Sequence, residues 1–375
     1  MAPPKLLFLV TEDWYFCSHR LPVARAARDA GFAVAVATRV RDHGERIRSE
    51  GFGLHPLAWK RRGDGFSGHF RALREIVRLY RAEKPDILYH VALKPVLFGG
   101  LAARFAFPAR AEPVILSAVM GLGSSAAAPW RKRALGWALR FAVSSGTAIV
   151  QNPEDRDALI RFGLDPARVA LIRGSGVDPA HFAALPDPDG PVVIALVGRM
   201  LRSKGVLDAA AAIRRLRADG LDIQLILAGA PDPDSADTLT QHVVRELAAE
   251  PGIEWLGHVA DVRDIWRRAA IAVLPSSYGE GVPKSLLEAA ACARPIVASD
   301  MPGCREIVVP GKTGLLASPN DVAALANAIA TLAGDPALRR RMGEAGRARI
   351  CAEFADGIIA GQTLTLCRAA LTDRR

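Results

Sequence analysis

Residues 271–308 read IAVLPSSYGEGVPKSLLEAAACARPIVASDMPGCREIV, and the fold follows from this stretch. IAVLPS (271–276) is a short, continuous apolar run, the pattern of a strand buried on both faces. GEGVP follows as a turn: Gly281 permits a tight backbone approach, and Pro283 suits the first turn of a helix. KSLLEAAACA reads as that helix, and PIVAS (295–299) is the next strand. Two strands joined through a helix lie parallel in one sheet.

The same style extends upstream. VVIALVG (192–198), DIQLILAG (222–229) and IEWLG (253–257) are strand-like runs separated by helical segments. A second series precedes them, with LLFLV (6–10), AVAVAT (33–38), DILYH (86–90), VILSAV (114–119), TAIVQN (147–152) and VALIR (169–173). The Pro/Asp-rich PDPDGP (186–191) separates the two series. The fold class is therefore α/β, with two doubly wound domains facing each other across a central cleft. The expected limits are 1–185 for the first domain and 186–350 for the second. A last helix, 351–375, is expected to pack back toward the first.

The chain has 375 residues, of which 50 % are hydrophobic and 23 % charged, an ordinary globular composition that excludes disordered and collagen-like classes. Its net charge of +10 is unevenly spread. Residues 1–185 hold 27 basic and 16 acidic residues, net +11, whereas 186–375 hold 22 and 23, net −1. The first half therefore favours an anionic ligand or surface. Arg71, Arg74, Arg78 and Arg81 recur at helical spacing opposite Leu73, Ile76, Val77 and Tyr80, and Lys60, Arg61 and Arg62 precede them. Trp130-Arg131-Lys132-Arg133 opens a second basic helix with Trp137 further along. Basic amphipathic helices with Trp fit a membrane interface. Nucleic acid is not expected, because aromatics are 6 % and no nucleic-acid-binding motif is present. The five cysteines form no CxxC pair and fit buried thiols. MAPPKLLFLV has too short an apolar core for a secretory leader, and no run of 18 apolar residues is present to span a bilayer.

Ligands of such sheets bind at the carboxyl ends of the strands. After strand 271–276, Glu280 sits in the loop and Glu288 inside the helix, where a carboxylate can accept two ribose hydroxyls. The backbone of Gly281, Val282, Lys284 and Ser285 lies where amides at a helix start face an anion. After strand 192–198, GRMLRSKGVLDAA puts Arg199 and Lys204 at a helix start, two cations suited to a diphosphate. Asp232-Pro-Asp234 follows strand 222–229 at the spacing of a metal-binding carboxylate pair, but it is stiffened by Pro231 and Pro233 and reads as a solvent loop. With two cations to neutralise a leaving diphosphate, no metal and no other cofactor is expected.

Arg199, Lys204, Glu280, Glu288 and the GEGVPKSLLEAAACARPIVASDMPGCREIV signature resemble the family-four retaining glycosyltransferases. The resemblance implies the GT-B fold of two Rossmann-like domains, with the Arg and Lys on the donor diphosphate, Glu288 on the ribose and Glu280 against the transferring sugar. TEDWYFCSHRLPVARAARDAGFAVAVATRV, HVALKPVLFGGLAAR and SAVMGLGSS resemble the subgroup that extends undecaprenyl-diphosphate-linked oligosaccharides. That subgroup implies a nucleotide-sugar donor with a HexNAc-type sugar, a lipid-linked saccharide acceptor and a peripheral site on the cytoplasmic face of the inner membrane. Met120 stands where many relatives have His or Glu, and Met cannot act as a base. Glu12, Asp13, His19 and His90 are the other polar groups at strand ends of the first half, and Asp13 and His19 are the expected acceptor-side catalytic groups. A sugar-nucleotide epimerase of the same fold is the alternative activity.

Overall fold

The computed structural model describes residues 2–59, 65–108, 113–122, 129–144 and 146–372. Lys60, Arg61, Arg62 and most of the small-residue loop after Gly121 lie outside them, as do the side chains of Arg131 and Lys132. The chain forms two α/β units, one made of residues up to Gly176 together with those from Asp356, the other of Val177–Ala355.

The first unit is built on a parallel sheet of β1 (Lys5–Glu12), β2 (Ala33–Arg39), β3 (Gly53–Pro56), β4 (Ile87–Val91), β5 (Val114–Ala118), β6 (Thr147–Val150) and β7 (Val169–Leu171). The strand order is β3-β2-β1-β4-β5-β6-β7. Alternate residues serve opposite faces, as the two-residue period of a strand requires. Leu7, Leu9, Leu88 and Ile115 pack under the Gly65–Glu83 and Leu93–Ala106 helices. Ala148 and Val150 pack under the Pro129–Val143 helix. Leu6, Phe8, Val10, Tyr89 and Leu116 face the other way, toward the Leu21–Asp29 helix and the Asp356–Thr372 helix. The last helix thus supplies Ile359, Ala360 and Cys367 to the core of the first unit.

The second unit has β8 (Val192–Val197), β9 (Ile223–Ala228), β10 (Ile253–Trp255), β11 (Ile271–Leu274), β12 (Ile296–Ser299) and β13 (Gly314–Ala317), in the parallel order β10-β9-β8-β11-β12-β13. It begins ahead of the expected cut at Leu185, because the connecting segment already belongs to its core. Val177 and Phe182 are buried there, and Arg347 holds the carbonyls of Phe182 (2.8 Å) and Pro179 (3.2 Å). It also runs past 350, since Ile350 and Phe354 are buried in the same cluster. Among the described residues, no helix is long and apolar enough to cross a membrane.

Candidate active site

β8 lies between β9 and β11, so successive connections leave it on opposite sides. The crevice at such a reversal, outside the carboxyl ends of the strands, is where doubly wound sheets take ligands. The loops after β8 and β11 meet there. Gly205 has φ +72°, and a Cβ on it would come within 2.1 Å of the Pro275 carbonyl oxygen, so only glycine lets the two loops close. Ser203 O accepts from the Ser277 N–H at 2.9 Å. Ser276 Oγ lies 3.0 Å from Ser203 O, 3.0 Å from Tyr278 O and 3.1 Å from Glu280 Oε1, three acceptors that share its one proton.

This stitching brings Lys204 and Glu280 together: Lys204 Nζ is ion-paired with Glu280 Oε2. Arg199, at the end of β8, is paired instead with Asp232 beyond β9, Nη1 to Oδ2 at 2.6 Å. Asp232 is thereby a counter-charge for the expected diphosphate-binding cation. Among the described residues, no group of three or more His, Cys, Asp or Glu side chains could hold a metal ion.

Pro283 caps the Lys284–Ala291 helix, whose first-turn N–H groups at Lys284 and Ser285 precede any intrahelical acceptor. Glu288 is half-buried one turn inside this helix. Val282 is buried in the core and fixes the Glu280–Gly281 turn. Gly303 meets that turn backbone to backbone, since a Cβ on it would lie 1.9 Å from Gly281 O. Ser276, Tyr278, Glu280, Pro283, Met301, Gly303 and Cys304 line a small cavity here. Burial, reinforced by the Glu280 charge, pushes the Cys304 thiol up to about 12, so this cysteine is a neutral wall. Ser276 and Cys304 were not legible as site residues. A Ser at the end of a strand is the only signal, and Cys304 arrives through a chain reversal well beyond the helix.

In the first unit the expected groups separate. Asp13 is fully buried, and its carboxylate accepts from the backbone N–H groups of Trp14 (2.7 Å), Arg41 (2.7 Å) and His43 (2.9 Å). Asp13 thus anchors the loop after β2. His19 is half-buried and stacks on Tyr15, centroids 4.1 Å apart at 6°. Tyr15 Oη in turn donates to Met120 Sδ at 3.6 Å. Glu12 is buried near Arg39 and Arg41. His90 is buried against Tyr80, Nε2 to Oη 3.0 Å, and desolvation brings its pKa down to about 3. Asp155 accepts from the N–H groups of Gly121 and Leu122, which fixes the start of the loop after β5.

Two parallel-sheet units with a cation-and-carboxylate cluster at the strand reversal of the second define a class of two-unit α/β proteins with a polar site at the strand ends. The family model described as "Glycosyl transferases group 1" matches residues 191–335, and "Glycosyl transferase 4-like" matches residues 5–152. The chain is 37 % identical over 273 residues to alpha-maltose-1-phosphate synthase of Mycolicibacterium smegmatis, covering 64 % of this chain and 69 % of that protein. It is 25 % identical over 372 residues to the N,N'-diacetylbacillosaminyl-diphospho-undecaprenol alpha-1,3-N-acetylgalactosaminyltransferase of Campylobacter jejuni, covering 92 % and 94 %. The Anabaena HepE structure in complex with UDP and glucose superposes with a TM-score of 0.78 at 18 % identity, covering 98 % of this chain and all of that one, a likeness of fold. The chain belongs to the family-four glycosyltransferases, with the GT-B fold.

Proposed function

We propose that the chain is a retaining glycosyltransferase that moves a sugar, HexNAc-type favoured, from a nucleotide-sugar donor to a lipid-linked saccharide. The observation that carries the donor half is the convergence of Lys204 and Glu280 beside Arg199 at the strand reversal of the second unit. Donor phosphates take Arg199 and Lys204 in competition with Asp232 and Glu280. Once released from Lys204, Glu280 faces the sugar, and Glu288 accepts from the ribose. The bond from the anomeric carbon to the diphosphate oxygen breaks, the acceptor hydroxyl oxygen bonds to that carbon, and the hydroxyl proton passes to the departing diphosphate. The two cations stabilise charge on the departing diphosphate, where a preorganised cation acts most strongly. A metal ion is not required for this neutralisation.

The lipid-linked acceptor is supported by the full-length likeness to the Campylobacter enzyme. It is supported as well by the outer surface of three adjacent helices in the first unit. Gly65–Glu83, Leu93–Ala106 and Pro129–Val143 expose Phe70, Phe105, Trp130, Trp137 and Phe141, with Trp137 79 % exposed. Arg71, Arg74, Arg78 and Arg81 are exposed on the first of them. Aromatic side chains among arginines suit an anionic headgroup layer, which supports reading the chain as peripheral on the cytoplasmic face of the inner membrane.

The test is a nucleotide-sugar screen with detection of nucleoside diphosphate. Release that depends on a lipid-linked saccharide is expected. Conversion of the sugar nucleotide without acceptor would establish the epimerase reading instead. Arg199→Ala and Lys204→Ala should each lower the turnover at saturating donor, and a loss confined to KM would mean that they bind ground and transition states alike. Activity should survive EDTA.

A further inference from the structure

Arg20 lies between the Asp13–His19 and Leu21–Asp29 helices, at the carboxyl end of the first sheet, and is only 3 % exposed. A guanidinium is always charged, and burying it without a counter-charge is costly. Arg339, another buried guanidinium, has such a counter-charge in Asp187, with Nη2 2.7 Å from Oδ2. Arg20 has no carboxylate partner among the described residues. Its Nη2 reaches only the Met120 thioether at 3.8 Å, a weak acceptor, and its Nε has no partner. Its Cζ lies 5.8 Å from the Tyr89 ring centroid, and Tyr89 Oη is buried and likewise without a partner. Tyr15 Oη converges on the same sulfur at 3.6 Å. Tyr15, His19 and Met120 are half-buried, so the cluster reaches the surface past them.

We propose that Arg20, with Tyr89 Oη and Tyr15 Oη, forms an oxyanion site in the first unit that takes a phosphoryl group of the acceptor. The planar fork of Arg matches phosphate oxygens bidentately, and phenolic hydroxyls donate to them. Two sources share this chemistry, a diphosphate borne by a lipid and the phosphate of a soluble sugar phosphate. The word acceptor rests on the transferase reading; the anion site itself does not.

The experiment removes the donor-side cations first. In the Arg199→Ala/Lys204→Ala chain, calorimetric titration with inorganic pyrophosphate is free of the two donor-side cations, and the part of the binding that depends on Arg20 reads the first unit. Binding is expected to persist, and to fall at least tenfold when Arg20→Gln is added. Met120→Glu places a carboxylate against Arg20. It should raise the melting temperature while lowering pyrophosphate affinity at least tenfold, and it decides the matter if Arg20→Gln impairs folding. Farnesyl diphosphate and glucose 1-phosphate, titrated in parallel, distinguish the lipid-borne from the soluble source. Two results would overturn the proposal: no pyrophosphate binding once Arg199 and Lys204 are gone, or affinity unchanged by both Arg20→Gln and Met120→Glu. Neither depends on acceptor-dependent release of nucleoside diphosphate by the unaltered chain, so the two readings fail separately.

Discussion

Glu288 and His90 represent two kinds of polar residue whose roles diverge. Glu288→Ala removes a charged acceptor from the proposed ribose position, and hydrogen bonds to charged groups contribute about 1.5–3 kcal/mol. Titration with the nucleoside diphosphate of the preferred donor should show a weakening of that order, and unchanged affinity would remove Glu288 from the donor site. His90 is neutral in its buried pocket, with a pKa of about 3 against 6.5 in an unfolded chain. Below pH 6.5 the unfolded state binds a proton that the folded state refuses, so the folded state loses stability as pH falls. Between pH 6 and pH 4 this group should cost up to about 1.4 kcal/mol per pH unit. Urea denaturation of wild type and His90→Asn across that range should show a shallower slope for the variant. The candidate donor-side residues could be singled out because each lies in a segment that follows a strand in a known periodic frame. The three backbone bonds of Asp13 were not legible, since a loop carboxylate reads the same whether or not backbone N–H groups hold it.

Among elements, the apolar strands were legible because burial on both faces leaves an uninterrupted Val/Ile/Leu signature. β3 and β13 are four-residue strands at the sheet edges, and GLHP and GLLA are too short to register. The Asp13–His19 helix reads as a loop because its N-cap, Glu12, makes no side-chain capping bond. The Gln241–Ala248 helix follows a loop rich in Asp and Pro and passes unnoticed beside it. The close approach of the loops after β8 and β11 gives a sharper prediction. Gly205→Ala combines a left-handed φ with a Cβ against the Pro275 carbonyl, strain of about 1–3 kcal/mol. The loops should part and donor affinity should fall more than global stability does. Titration and thermal unfolding of the same variant test this, and an equal change in both would mean that the glycine matters only for folding.

At the scale of the whole molecule, the charge asymmetry and the aromatic surface act together. Near an anionic leaflet each basic residue contributes about 1 kcal/mol of attraction, and salt weakens it. Changing Arg71, Arg74, Arg78 and Arg81 to Gln, or Trp130 and Trp137 to Ala, should strongly reduce sedimentation with anionic vesicles. High salt should reproduce the arginine effect and leave more of the aromatic contribution. Turnover of a short soluble acceptor should change little. Equal losses on soluble and lipid-linked acceptors would assign these side chains to folding or to catalysis.

The Asp356–Thr372 helix closes the core of the first unit after the whole second unit has been spelled out in the sequence. A ribosome therefore releases the start of the first unit long before the helix that covers Phe8 and Tyr89 exists. During synthesis the second unit is complete first, although it is encoded second. Until the last turns emerge, the early chain waits with an apolar sheet face uncovered, a target for chaperones in the interval. A stop codon at 356 would leave the core of the second unit intact, while the unit whose strands are made first would be the one that fails.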